Sequence, residues 1–296
     1  MKKVVGLGAC VMDTLISCND YPTEDTKMKA ESVFTSGGGP VGNALVVMAK
    51  LGVNTFVTGN LADDNAGDYL VEDFNKYGVN TDYVCREKNT SSFTSYILLN
   101  SKKNSRTCVF DRGTVSDDPS NLDFSVLDDA DVLHLDGNYL GCAIAAAKYA
   151  KEQGVKVSLD AGGLYKDIDK LLPLVDILIP SAEFSLGFTG EKQIPQAMRM
   201  LKQKFNPLVL VVTDGANGGY YMQDDEILHY DSVKVEQVVD TNGAGDTFHG
   251  AFITAYCDGK SVEDCCHYAS VVAGYKVSQK GARTYPLNRS IIDQKL

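Results

Sequence analysis

The 296-residue chain has no surplus of positive charge, no CxxC pair, no long apolar run and no internal repeat. Each absence removes a class of function. Twenty-eight Lys and Arg against 39 Asp and Glu leave a net charge of -11, so no global field draws in nucleic-acid phosphates or anionic lipid, and neither nucleic acid nor membrane is expected as a partner. No stretch approaches the roughly 20 apolar residues of a membrane span. The opening Met1-Lys-Lys-Val-Val is broken by Gly6 and Gly8 before any signal-peptide core can form. The cysteines at 10, 18, 85, 108, 142, 257, 265 and 266 show no small-scaffold spacing, which points to reduced core thiols in a cytoplasmic protein. The histidines at 134, 229, 249 and 267 form neither HExxH nor a zinc spacing. No GxxxxGK[ST] and no protein-kinase motif set is present. An anionic substrate would therefore rely on local positive features: helix N-termini, backbone amides and a metal ion.

What is present is a chain 44% hydrophobic, enough for an ordinary buried core. Lys3 to Ala9 reads as a buried strand opening into a turn before Asp13. An exposed strand over residues 27–35 is followed by Gly37-Gly-Gly39-Pro40 and a helix over 41–51. A strand at 53–59 and a helix at 64–77 come next, then a hairpin formed by 92–100 and 106–110. From residue 132, strands at 132–135, 155–159, 176–180 and 208–213 alternate with helices at 140–153 and 193–204, which predicts a largely parallel sheet with helices on both faces. A second hairpin over 218–230, a β-like stretch at 233–239 and helices at 244–257 and 262–277 complete the chain. One main domain spanning 1–296 is expected, with a small β lid inserted from about 14–37 and 90–112.

Asp240-Thr-Asn-Gly-Ala-Gly-Asp246 precedes the helix at 244–257. Small residues at Gly243, Ala244 and Gly245 let backbone amides face a ligand at the positive end of that helix, forming an anion hole. Asp246, in the first turn, is placed to accept a proton from an attacking hydroxyl beside it. A glycine turn with Asp246 acting only as a first-turn acid fits the same residues taken alone. Gly38-Gly39-Pro-Val-Gly-Asn43 allows close backbone approach and offers an amide that both donates and accepts, which suits sugar hydroxyls. The same stretch matches GxGxxG through Gly37, Gly39 and Gly42, with Asp63 some way on, so a dinucleotide-binding oxidoreductase is also a reading, although the first βα turn lacks the fingerprint.

The heptad at 240–246 and the glycine helix at 38–44, about 200 residues apart and in order, resemble the two signatures of the PfkB, or ribokinase-like, carbohydrate kinases. The resemblance covers nearly the whole chain. It implies a ribokinase-like doubly wound α/β sandwich with a small β lid, ATP and Mg as cofactors, and transfer of the γ-phosphoryl group to a primary hydroxyl of a small sugar. Asp246 would be the base and Gly243, Ala244 and Gly245 the anion hole. Substrate contacts are implied for Asp13, Gly38, Gly39, Asn43, Asp136 and, by likeness to ketohexokinase-type lids, Arg106. Thr213, Gly215 and Gly218, in a strand-and-glycine-loop element, together with Ser181 and Ser270, are implied on the nucleotide side. The usual N-x-x-E is replaced by Ser181-Ala-Glu183, which leaves Glu183 as the candidate for holding Mg through water. A monovalent cation such as K near Asp240, the Asn242 carbonyl and Gly281 is a further implication, as is a homodimer formed through the lid. A nucleoside kinase of the same fold and a non-catalytic sugar-binding protein remain as alternatives, and the sugar itself stays open.

Overall fold

The computed structural model describes residues 2–103 and 105–296. Its centre is a nine-stranded sheet in the order β13-β12-β11-β10-β9-β8-β1-β4-β5. The parallel part runs from β5 (Val79–Glu87) through β4 (Asn54–Ala62), β1 (Lys3–Leu7), β8 (Val132–Leu135), β9 (Lys156–Ala161) and β10 (Ile177–Pro180) to β11 (Val209–Thr213). The antiparallel hairpin β12 (Gly219–Gln223) and β13 (Glu226–Tyr230) closes one edge.

Strand alternation divides the core in two. Val4, Ile177, Ile179, Val209 and Val211 face α1 (Pro40–Lys50), α2 (Asn65–Lys76), α6 (Ala244–Cys257), α7 (Val262–Val277) and α8 (Arg289–Asp293). Their neighbours Val5, Leu178, Leu210 and Val212 face α3 (Leu140–Glu152), α4 (Ala182–Thr189) and α5 (Ile194–Phe205). Both faces are thus covered, as a continuous apolar run in a central parallel strand requires. This is the helix-sandwiched, mainly parallel α/β sheet that the resemblance implies.

A separate four-stranded sheet has the order β3-β2-β6-β7, built from β2 (Val11–Cys18), β3 (Ser32–Gly38), β6 (Thr94–Asn100) and β7 (Ser105–Asp111). Asp13 lies inside β2, beyond the turn that follows the first strand. β2 pairs with both β3 and β6, and those two neighbours turn an Asp- and Ser-containing octapeptide into a strand. Registry assigns the faces. Asp13, Ser36, Ser95 and Arg106 share one side with Phe34 and Phe110, whereas Val33, Tyr96 and Val109 share the other.

One local expectation is corrected, and one strand appears where none was read. The valines of 233–239 form no strand: Val233, Val238 and Val239 are exposed, and the segment is tied down by the Val239 and Asp240 amides donating to the Val277 carbonyl. β-Branched residues favour strands only where a neighbouring strand accepts them. In the other direction, the polar Val79–Glu87 is a strand, because as the sheet's outermost member it pairs with β4 alone.

Candidate active site

The turn at 240–243 is built by its own aspartate. Asp240 Oδ1 accepts from the Asn242 amide at 2.8 Å and Oδ2 from the Gly281 amide at 2.9 Å. Gly243 then enters the left-handed region at φ 75° and caps α6 without a side-chain partner, a conformation that a β-carbon would strain. Among the described residues, the amides of Gly243, Gly245 and Asp246 have no protein acceptor, while that of Ala244 donates to the Thr241 carbonyl at 3.2 Å. Three unpaired N–H groups at a helix N-terminus make an anion-binding concavity. Ala244 contributes its smallness more than its amide, because its N–H closes the turn.

Asp246 projects from the first turn of α6 and is half-buried. Asn43 Nδ2 donates to its Oδ2 at 2.6 Å. The partners are 203 residues apart in sequence and meet because α1 and α6 pack closely. A β-carbon on Gly250 would come within 2.7 Å of the Ala44 carbonyl. Burial, and behind it the charge of Asp160, push the Asp246 carboxyl up to about 6 against the opposing Asn43 hydrogen bond. Asp160 stands 3.2 Å from His249 Nε2, one helical turn beyond Asp246, and the His249 ring lies 5.9 Å from that of His134.

Asp13 stands on β2 against Gly38, at the start of the glycine segment that leads to Asn43. Ser95 Oγ donates to its Oδ1 at 2.6 Å, while Oδ2 has no protein donor among the described residues and lies against Gly38. Burial raises its pKa, with the Ser95 hydrogen bond opposing. Asp136 is placed differently. Its Oδ2 accepts from the amides of Ala9 at 2.9 Å and Val41 at 3.4 Å, and its Oδ1 from the Asn138 amide and side chain. With both oxygens taken by the fold and the side chain buried, Asp136 clasps β1 to the start of α1, and the ligand-binding role expected of it has no free acceptor to work with. Arg106 reaches from β7 to donate to Asn242 Oδ1 at 2.8 Å, tying the small sheet to the glycine turn.

The nucleotide-side candidates are more scattered. Ser181 caps α4 by accepting from the Phe184 amide, and an isolated bridge joins it to Thr213 at the end of β11. Gly215 and Gly218 bound the loop that leads to β12. Ser270 is buried in α7, and Glu183 is exposed in the first turn of α4. No group of three His, Cys, Asp or Glu among the described residues is assembled to hold a bare metal ion. The residues expected to hold a monovalent cation do not fit one: Lys276 Nζ donates to the Asp240 carbonyl at 2.6 Å and lies 3.8 Å from Asp240 Oδ2.

Three residues that motif reading missed complete the arrangement: Arg283, Lys276 and Asp160. Arg283 Nε donates to Asn43 Oδ1 at 2.8 Å, Nη1 to Asp73 Oδ2 at 2.9 Å and Nη2 to the Gly38 carbonyl at 2.8 Å. The guanidinium thus fixes which oxygen and which nitrogen Asn43 presents, and so which atom meets Asp246.

The family model for "pfkB family carbohydrate kinase" matches residues 1–289. The chain belongs to that family. It is accordingly a phosphotransferase with an alcohol group as acceptor, and the glycine turn, Asn43 and Asp246 are its two family signatures brought together. The chain is 29% identical to the ribokinase of Arabidopsis thaliana over 291 residues, 94% of this chain and 77% of that protein. It is 27% identical to the ketohexokinase of Mus musculus over 294 residues, 95% of this chain and 97% of that one. The structure of the Arabidopsis ribokinase complexed with ribose and ATP superposes with a TM-score of 0.87, 28% identity, and coverage of 99% and 98%. An adenosine kinase from Sinorhizobium meliloti shares the fold at a TM-score of 0.82 and 20% identity, over 95% of each chain.

Proposed function

We propose that this kinase transfers the γ-phosphoryl group of ATP to a primary hydroxyl of a small sugar, ribose or a ketose such as fructose, with Asp246 as the general base. The observation that carries the reading is the half-buried Asp246 carboxylate beside unpaired amides at the start of α6. With other hydroxyls of the sugar held against Asp13 Oδ2 and the Gly38–Gly39 backbone, its primary hydroxyl loses its proton to Asp246 as the oxygen attacks the γ-phosphorus, and the bond from that phosphorus to the β–γ bridging oxygen breaks as ADP leaves. The amides of Gly243, Gly245 and Asp246 take up charge on the migrating group. Asn43 keeps the Asp246 carboxylate aimed. The likeness to a ribokinase complexed with ribose and ATP supports both substrates. Glu183 is our candidate residue for holding Mg through water, and Mg bound there with the phosphates would offset their negative charge.

Thr213, Gly215 and Gly218 form the bed for the nucleotide, with Ser181 and Ser270 behind it. The small sheet acts as a lid, latched through Arg106 to Asn242, and excludes water from the transfer. Its outer face is apolar and bare, with Val33 63%, Tyr96 52% and Val109 62% exposed, which supports a second copy of the chain covering it in a homodimer.

The test is an ADP-release screen over ribose, fructose, other ketoses, keto sugar acids, phosphorylated hexoses and adenosine with Mg. Sugar-dependent ADP is expected, strongest for a pentose or ketohexose. Release with adenosine alone would move the assignment to a nucleoside kinase. A second measurement addresses the base. The negative charge of Asp160 raises the Asp246 pKa, so Asp160→Asn is expected to displace the acid limb of the kcat/KM profile to lower pH. A limb that stays in place, or moves up, removes Asp246 from the role.

A further inference from the structure

The ammonium group of Lys276 is a charge that the chemistry above does not use. It stands in the last turn of α7, 0% exposed. Taking an ammonium out of water costs several kcal/mol unless its partners repay it. Here it has one hydrogen-bond acceptor among the described residues, the Asp240 carbonyl, with the Asp240 carboxylate 3.8 Å away and the negative end of α7 beside it. Burial lowers its pKa, Asp240 and Asp246 raise it, and Arg106 opposes them, so its charge is felt at the carboxylate of the cleft and at the lid latch alike.

The position is also specific. Asp240 orders the turn by accepting from Asn242 and Gly281, yet its negative charge lies a few residues from amides that must receive an anion. Left bare, it would repel the phosphoryl group those amides attract. An ammonium against both the carbonyl and the carboxylate of Asp240 cancels that charge without disturbing either amide bond. It also fills the space that an oxygen-ligated metal ion would need and repels any cation approaching it.

We propose that Lys276 is a positioning residue that supplies, from within the chain, the fixed single positive charge beneath the turn carrying Gly243 and Asp246, so that phosphoryl transfer requires no monovalent metal ion. The proposal rests on the kinase reading above. Its test compares the wild type with Lys276→Met, in tetramethylammonium buffer and after exchange into potassium, by ADP release and by melting temperature.

The wild type is expected to give the same rate and melting temperature in both salts. Lys276→Met is expected to lose at least about tenfold in kcat without potassium, the scale of a lost electrostatic contact at the transferring group, and to recover most of it when potassium enters the vacated place. Its melting temperature rises with potassium in parallel. Activation of the wild type by potassium overturns the proposal. So does a Lys276→Met that keeps its rate in tetramethylammonium, or one whose loss potassium does not repair. If Lys276→Met does not fold, the wild-type comparison decides alone. If no acceptor yields ADP, the kinase reading has failed, and the melting measurements, which need no substrate, still decide the cation question.

Discussion

Asp246→Asn is expected to lower kcat by at least about a hundredfold and, in the same molecule, to stabilise the fold at pH 8. The two effects share one cause. Burial, and behind it the charge of Asp160, raises the carboxyl from the ordinary 3.8 to about 6 in the folded chain. A group whose folded pKa lies above its unfolded one contributes stability that is fully present below the unfolded value and is lost as pH rises through the folded one. At pH 8 the ionised carboxylate therefore makes the native state less stable than a neutral side chain would, by up to about 3 kcal/mol for a shift of this size. Asparagine keeps an oxygen for Asn43 Nδ2 and removes the charge.

Chemical denaturation at pH 8 and pH 4 checks the sign, with the variant more stable than wild type at the higher pH and the difference closing at the lower. The alternative, in which Asp246 is only a favourable first-turn acid, predicts the opposite on both counts: full activity, and a loss of a few tenths to about 1 kcal/mol at pH 8. A variant with more than about a tenth of wild-type kcat would remove the base assignment. Loss of activity together with gain of stability is the signature of a site whose chemistry is held against the preference of the fold.

How much of this could be read from residues alone divides along sequence distance. The parallel sheet was legible because strands such as Val209–Thr213 and Ile177–Pro180 are short apolar runs bounded by turns and alternating with helices. The glycine turn was legible because the turn, the helix start and Asp246 lie within seven consecutive residues, so local geometry carries the signal. The clasp role of Asp136 was not, since it depends on the amides of Ala9 and Val41 arriving from other elements. Asp160 belongs to no motif, and its place in the site depends on α6 bringing His249 to it. Lys276 lies in no motif, and its contact with Asp240, 36 residues away, exists only once α7 is packed. The valine-rich stretch at 233–239 failed in the reverse sense: its pattern is that of a strand, but among the described residues no strand pairs with it.

The largest loss of stability from a single substitution is expected at Arg283. The side chain is 0% exposed, lies over the Phe74 ring at 5.4 Å, and donates to Asn43, Asp73 and the Gly38 carbonyl. Its own backbone is held from outside, because Lys50 Nζ donates to the carbonyls of Arg283 and, at 2.7 Å, of Tyr285. Arg283→Met keeps much of the volume but strands a buried carboxylate, a carbonyl and an amide oxygen together. Removing one partner of a buried pair typically costs about 3–5 kcal/mol, to be read from the shift of a guanidinium unfolding midpoint. Lysine is not expected to substitute, because a single ammonium cannot spread three directed N–H groups across Asn43, Asp73 and Gly38. Adding Asp73→Leu to Arg283→Met is expected to recover part of the loss, since an apolar pair in that space needs no ionic partner. The rate should not recover with it. Asn43 would still lack the donor that holds its oxygen, and an amide anchored only through its nitrogen to Asp246 moves with the carboxylate instead of fixing it. A stability loss below about 1 kcal/mol, within the range of an exposed ion pair, would show that the Arg283 network is incidental. Recovery of both stability and rate in the double variant would show that Asn43 is aimed by something else.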